Sequence, residues 1–285
     1  MIVRYAKIIF GKRMEKFAYG YDVRLLCVSA QTRAAGRGMI AALTQRGDSW
    51  HKQKLAACGG DVAQSCNLPM CPVCVERTLK SLIKDAAWLL LTVCDGGEVP
   101  IMVVQHDLPG KRYERDDLFD ISLPSLNRSI RRQYKQAGFP LAFSAVQLSC
   151  IDDGSMGTEV WQAGVCSVIV GLPKRDVLAA IKRLCPDPSP ERWRELDAGE
   201  ALLSTIDPGW YREITQKKAN GSMDTRIDLL GRSQLRRLGY CLNRHKITDR
   251  YALTGCRLSD DGLDLKSGVR ERLKKLAARR SGRRK

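Results

Sequence analysis

Residues 141–151 read LAFSAVQLSCI and residues 159–172 read EVWQAGVCSVIVGL. Successive side chains of an extended chain point to opposite sides. In the first run Val146, Leu148 and Cys150 therefore share one face, and Gln147 and Ser149 share the other. In the second, Trp161, Val165 and Ile169 oppose Gln162, Gly164 and Cys166. Asp152-Asp153-Gly154 between the runs is turn chemistry, since Asp and Gly accept the backbone angles a turn needs. Strand, turn, strand predicts an antiparallel hairpin.

Working outward, residues 99–105 (VPIMVVQ) form a further predicted strand, closed by His106-Asp107-Leu108-Pro109-Gly110. Residues 5–10 and 23–28 could be short strands. The run 123–136 is an amphipathic helix, with Leu126, Ile130 and Tyr134 on one side and Arg131, Arg132 and Lys135 outside. Residues 176–184 (DVLAAIKRL) repeat that pattern and stop before Pro186. Ser233 is placed as the N-cap of a helix running to about Arg244. These elements define an α+β chain with an antiparallel sheet and helices on one face. The apolar run 86–94 (AAWLLLTVC) is too short to span a bilayer and reads as a buried strand or helix segment.

Upstream lies CGGDVAQSCNLPMCPVC, residues 58–74, with Cys58, Cys66, Cys71 and Cys74. The Cys-Pro-Val-Cys knuckle can aim two thiolates at one ion, and zinc prefers four such soft ligands in a tetrahedron. A structural Zn2+ site would fold a module too small to fold by itself. A helix is expected after it, from about residue 76 to residue 83. Unliganded thiols and a redox dithiol pair are the alternatives. His51 could replace one cysteine, although a lone surface histidine is the plainer reading.

The chain has 285 residues and a formal net charge of +17, with a pI near 9.6. Such a surplus favours a polyanionic partner, nucleic acid first. Neither a lipidation motif nor a strongly amphipathic basic helix points to a membrane. Eleven cysteines, an odd number spread along the chain, fit reduced thiols in a cytoplasm better than a secreted disulfide framework. The N-terminus lacks the apolar core of a signal peptide. The organisation expected is a basic segment at 1–55, the cysteine module at 56–80, a sheet domain at 81–260 and a basic, disordered tail at 261–285. In that tail Lys274, Lys275, Arg279, Arg280, Arg283, Arg284 and Lys285 would bind phosphates without reading sequence, unless it serves solubility alone.

The order of these pieces resembles the rolling-circle replication initiators of small bacterial plasmids and their transposase relatives, the HUH endonucleases. The likeness is carried by the cysteine module ending in Cys-Pro-Val-Cys and by VVQHDLPG (residues 103–110) followed by the helix from Leu123. Next come Val146-Gln147-Leu148, WQAGVC (residues 161–166) and Tyr240 in LRRLGYCLNR. It covers roughly residues 56–245. It implies a palm of HUH/RRM-like antiparallel strands in a bacterial cytoplasm, an origin in single- or double-stranded DNA, and host replication proteins as partners. It also implies a tyrosine that attacks a phosphate polarised by Mg2+ or Mn2+. Tyr240 would be that nucleophile, with Tyr211 second and a half-buried structural tyrosine as the plain alternative. The family's metal ligands, however, are Gln147, Gly164 and Cys166 here. Glycine offers no ligand, and cysteine is too soft for these cations. His106 could reach the site from the first palm strand, or could be an ordinary turn histidine. The expected function is a DNA-binding, replication-initiator-like protein that nicks one strand only if the chemistry survives. The alternatives are an inactive DNA-binding descendant, either accessory factor or repressor, and a zinc-containing RNA-binding protein.

Overall fold

The strands expected at 141–151 and 159–172 form and pair. The computed structural model describes residues 7–8, 37, 49–58, 66–71, 73–75, 77–78, 81–82, 85, 89, 101–152, 159–185, 211–217, 223–259 and 262–281. In chain order its elements are β1 (Lys7–Ile8), α1 (Ser49–Ala57), β2 (Ile101–Glu114), a 3-10 turn (Asp117–Asp120), α2 (Leu123–Gln136), β3 (Leu141–Asp152), β4 (Glu159–Val170) and α3 (Lys174–Leu184). Then follow β5 (Tyr211–Lys217), β6 (Met223–Leu229), α4 (Arg232–Asn243), a second 3-10 turn (Ile247–Arg250), β7 (Tyr251–Thr254), β8 (Cys256–Ser259), β9 (Gly262–Leu265) and α5 (Val269–Ser281).

β3 and β4 pair without a slip, from Leu141 opposite Val170 to Asp152 opposite Glu159. β2 takes the free edge of β4, and β7 takes the edge of β3 over residues 142–145. The order β2-β4-β3-β7 is thus a four-stranded antiparallel sheet. β1 pairs outside β2. β5 runs parallel to the last residues of β3 and carries β6 beside it, while β8 and β9 form a separate hairpin.

Residues directly opposite in an antiparallel pair share a face. One face carries His106 of β2, Trp161, Val165 and Ser167 of β4, and Ser144, Val146 and Cys150 of β3. Helix α2 lays its apolar stripe here. Leu126, Ile130 and Tyr134 are all buried, and Tyr134 reaches Ser167 with its hydroxyl (2.7 Å). The stripe falls at intervals of four residues, the spacing that puts side chains on one side of a helix. Ser122 caps α2 by accepting from the Ser125 N–H.

Four expectations are corrected. β2 does not end at Gln105. Its register slips between Asp107 (opposite Gly164) and Arg112 (opposite Gln162), so His106-Asp107-Leu108-Pro109-Gly110 leads into a bulge and the strand resumes. Leu108 is buried there, and Gly110, at φ 67, supplies the left-handed turn. Second, Ser233 is not the cap of α4. The helix starts at Arg232 with Gly231 as N-cap, whose N–H is taken by Gln234 Oε1 at 2.9 Å. Third, the tail is not a disordered block. Within 261–285 lie β9 and α5, and the charge masks an inward stripe of Val269, Leu273 and Leu276. Leu273 is fully buried, and Arg272 Nη2 donates to the Gly138 carbonyl (2.8 Å). Fourth, the cysteine module is not separate from the sheet domain. Leu68, Met70 and Val73 share one apolar core with Trp161, Val165 and Leu238.

The helix expected after the knuckle is present at residues 73–75, 77–78 and 81–82. Of the run 86–94, only Leu89 is described, helical and buried. The predicted strand at 23–28 and the Asp153-Gly154 turn lie outside the described residues, as do Arg283, Arg284 and Lys285. Among the described residues no helix is long and apolar enough to cross a membrane.

Candidate metal centre and the two faces of the sheet

The four cysteines converge through local turns. Cys58 ends α1, its N–H bonded to the Leu55 carbonyl at 3.1 Å. Asn67 takes the left-handed conformation, φ 52, which Asn tolerates better than most residues. The Cys71 N–H then closes a turn on the Leu68 carbonyl (2.9 Å), and the Val75 N–H bonds the Cys71 carbonyl (2.9 Å). That helical turn puts Cys71 and Cys74 on one side.

All four Sγ atoms lie within 4.8 Å of one another. The close pairs are Cys58–Cys74 at 3.3 Å, Cys66–Cys74 at 3.5 Å and Cys71–Cys58 at 3.6 Å. None of the four is in a disulfide. A tetrahedral ion with metal–sulfur bonds of about 2.3 Å holds its sulfurs about 3.8 Å apart, so the cluster fits a single ion with modest expansion. The donor set is cysteine alone. His51 lies in α1, with its side chain outside the described residues.

Without a cation two of these thiols, Cys66 and Cys71, hold their protons. Contacts with Cys66 and Cys74, together with burial, push Cys71 far above the usual thiol range. At Cys66 a hydrogen bond with Cys71 pulls the other way, but contact with Cys74 and burial outweigh it and push the thiol up to about 12. A bound divalent cation reverses this preference, since ligation requires thiolates.

The cluster is seated on the far end of the chain. Asn243 Nδ2 donates to Met70 Sδ at 2.7 Å, Arg250 to the Pro69 carbonyl at 3.4 Å, and the Tyr251 hydroxyl to the Val75 carbonyl at 3.3 Å. Gly239 of α4 leaves the room that the Met70 methyl occupies, since a Cβ there would lie 2.5 Å from it. The sequence carried a faint signal for this seat in a glycine inside an amphipathic helix.

The sheet separates the other candidates. Gln147 stands opposite Gly164, and Cys166 stands opposite Gln105 on β2 and Ala145 on β3. All three candidates therefore share the face turned away from α2, as the alternation predicts. Gln147 is buried. Its Oε1 accepts from Gln105 Nε2 (3.0 Å), while its Nε2 has no partner among the described residues. At Gly164 a Cβ would lie 3.3 Å from the His106 carbonyl oxygen and 3.6 Å from Asp107 Oδ1. Among the described residues, the four cysteines are the one group of three or more metal-ligating side chains, so this face gathers no such set.

His106 points to the opposite face. Its Nε2 meets the Tyr134 hydroxyl (2.9 Å), and its Nδ1 meets the Asp107 carbonyl (2.9 Å) and Cys185 Sγ (3.2 Å). Burial lowers the His106 pKa, and burial pushes the Cys185 thiol up to about 11. The neutral pair continues through Tyr134, Ser167 and Ser144 (2.8 Å) as one buried chain of hydrogen bonds. Tyr134→Phe removes its central link, strands His106 Nε2 and leaves Ser167 with Ser144 alone. It should destabilise the fold by about 1–3 kcal/mol, read as a lower midpoint in urea unfolding with an unchanged slope.

Tyr240 is half-buried on α4. The Arg236 guanidinium lies 5.6 Å from its ring centroid and donates to its hydroxyl at 3.5 Å. α4 meets the sheet on the α2 side. Gln234 Nε2 reaches Cys150 Sγ (3.3 Å). Arg237 pairs with Glu159 (3.1 Å from Nε), and Glu159 also takes the Trp161 indole N–H (2.7 Å). Tyr240 thus lies across the sheet from Gln147, Gly164 and Cys166. Tyr211 lies in β5, with its side chain outside the described residues.

Arg131 and Arg132 are exposed on α2, and Lys274 and Lys275 are exposed on α5. Arg279 and Arg280 belong to the last turns of α5, with side chains outside the described residues. The sequence reading missed Asn127, a polar residue within the buried side of α2, whose Nδ2 donates to the Tyr251 carbonyl (3.3 Å) and ties the helix to β7. Neither a family model, nor a curated protein, nor a solved structure matches the chain.

Proposed function

We propose that this chain is a DNA-binding protein built on a replication-initiator-like palm, with zinc in its cysteine cluster, and that it holds DNA without cutting it. The order strand, helix, strand, strand and later helix is what the resemblance calls for, and the charge of +17 suits a phosphate backbone. Zinc in the cluster supplies crosslinking and no reaction, because four protein ligands leave no open position.

The observation that carries the non-cutting reading is the separation of parts. A tyrosine nickase needs its nucleophile and its metal beside one phosphate, in near-attack geometry. Here Tyr240 is on the helix side of the sheet. The positions that would hold the cation are on the reverse, and one of them is a glycine.

The test uses supercoiled DNA carrying the protein's own replicon, with Mg2+ or Mn2+. Wild type and Tyr240→Phe should bind it equally, with neither open circles nor a covalent protein–DNA adduct. An adduct that Tyr240→Phe abolishes would overturn the reading and restore a nicking initiator. Tighter binding to RNA than to DNA at matched salt would overturn the choice of DNA.

A further inference from the structure

We infer that the helix side of the molecule carries a composite basic face, made by α2 and α5 together, that docks on the phosphate backbone of duplex DNA. The inference rests on the DNA-binding reading and assigns it a surface.

Arg128, Arg131, Arg132 and Lys135 are all exposed. Their spacing of three, four and seven residues from Arg128 places them in one stripe of α2, opposite the buried stripe of Leu126, Ile130 and Tyr134. With a rise of 1.5 Å per residue, the stripe is about 10 Å long. The sequence of α2, LPSLNRSIRRQYKQ, contains no acidic residue, so nothing on this helix offsets the charge.

α5 extends the surface. Arg272 donates to the carbonyl of Gly138, just past the end of α2, and Leu273 packs near Gly171 and Pro140 at the same end of the sheet. This docking sets the start of α5, with the exposed Arg272 and Lys275, against the turn that follows the Lys135 end of α2. Cations far apart in sequence thus lie on two helices that meet at Gly138. The tail that composition alone made a loose polycation is fixed, over this part, at a set position on the fold.

The side chains select the form of nucleic acid. Single strands are held chiefly by stacking bases on aromatic rings. Among the described residues the exposed large apolar side chains are Phe119 and Leu258, and neither is on α2 or α5. A face of arginine and lysine without a stacking ring suits the regular phosphates of a duplex and reads no sequence.

The test compares wild type with Arg128→Gln/Arg131→Gln/Arg132→Gln on α2, with Lys275→Gln on α5, and with Arg257→Gln on β8 as a control. The probe is a random-sequence 20-bp duplex, titrated by fluorescence anisotropy over a salt series. Each variant's melting curve should overlay wild type, since the altered groups are exposed. The logarithmic salt slope should shrink by about 0.9 for each phosphate that the protein no longer neutralises. The triple variant should therefore lose nearly three units and bind on the order of 10–100-fold more weakly near 0.1 M salt. Lys275→Gln should lose about one unit, and Arg257→Gln should lose none. Wild-type binding with an unchanged slope in the triple variant would overturn this face and leave the DNA-binding reading standing. No duplex binding by wild type at low salt would overturn both. Tighter wild-type binding to the single strand than to the duplex at matched salt would overturn the choice of duplex.

Discussion

Cys71→Ser is expected to lower bound zinc from one per chain to well below one, and to unfold the protein at a much lower temperature. Serine offers a hard, protonated oxygen where zinc requires a soft thiolate. Metal binding is folding free energy in sites of this kind, about 10–16 kcal/mol apparent in small zinc modules at neutral pH. Losing one of four ligands should cost on the order of 4 kcal/mol or more. The effect should not stay local. Cys71 and Met70 are buried in the same core as Leu238 and Trp161, so a loosened cluster exposes the seat on α4 as well. Elemental analysis and thermal unfolding with and without a chelator would check both parts. Chelated wild type should melt close to the variant. Full zinc occupancy in Cys71→Ser would refute the ligand assignment. Acidification acts the same way. Metal-free Cys66 and Cys71 hold their protons tightly, so protons compete with the cation, and zinc affinity should fall steadily as the pH drops.

Gly255→Ala is expected to be the most damaging single methyl group added to the described part of the chain. Gly255 joins β7 to β8 with φ 78, and an added Cβ would lie 2.1 Å from the Pro140 carbonyl oxygen and 3.2 Å from Leu141 Cα. The left-handed conformation costs alanine about 1–2 kcal/mol. The close approach costs more, because backbone rather than a pliable side chain must move. Moving it pulls β7 off β3 at Ala142–Thr254, the last of their paired residues. A total on the order of 4 kcal/mol lowers the melting temperature by roughly 10 °C for a chain of this size. Gly268→Ala is the internal comparison. Its φ is 79, but nothing lies within 4 Å of the added Cβ, so only the conformational cost of about 1–2 kcal/mol remains. Equal melting temperatures for the two variants would mean that the Pro140 backbone yields freely, and would sink the expectation.

Much of the frame was legible because its signals are local. The alternation around Gln147 and Gly164, and the four-residue spacing of Leu126, Ile130 and Tyr134, each need only a few neighbouring residues to be read. The cysteines were legible because their chemistry is scarce. What stayed hidden depends on partners far away in the chain. His-Asp-Leu-Pro-Gly looks like a strand end until β4 offers a partner for Arg112 beyond the bulge. The tail looks like solvated charge until Gly138 and Gly171 meet Arg272 and Leu273. The candidate site divided along the same line. Alternation put Gln147, Gly164 and Cys166 on one face, but no local pattern could report that α4 carries Tyr240 to the other.

The seat of the cysteine cluster also bears on how the chain is made. Met70 and Asn243, which touch, are 173 residues apart in sequence. At ordinary synthesis rates a ribosome needs roughly 9–35 s to add that many residues. For nearly all of that interval the four thiols have been made while the helix and strand that cover them do not yet exist. A nascent chain must either take a metal ion during the wait or carry unprotected thiols through it. Zinc-starved or oxidising growth should therefore damage newly made protein far more than protein already folded.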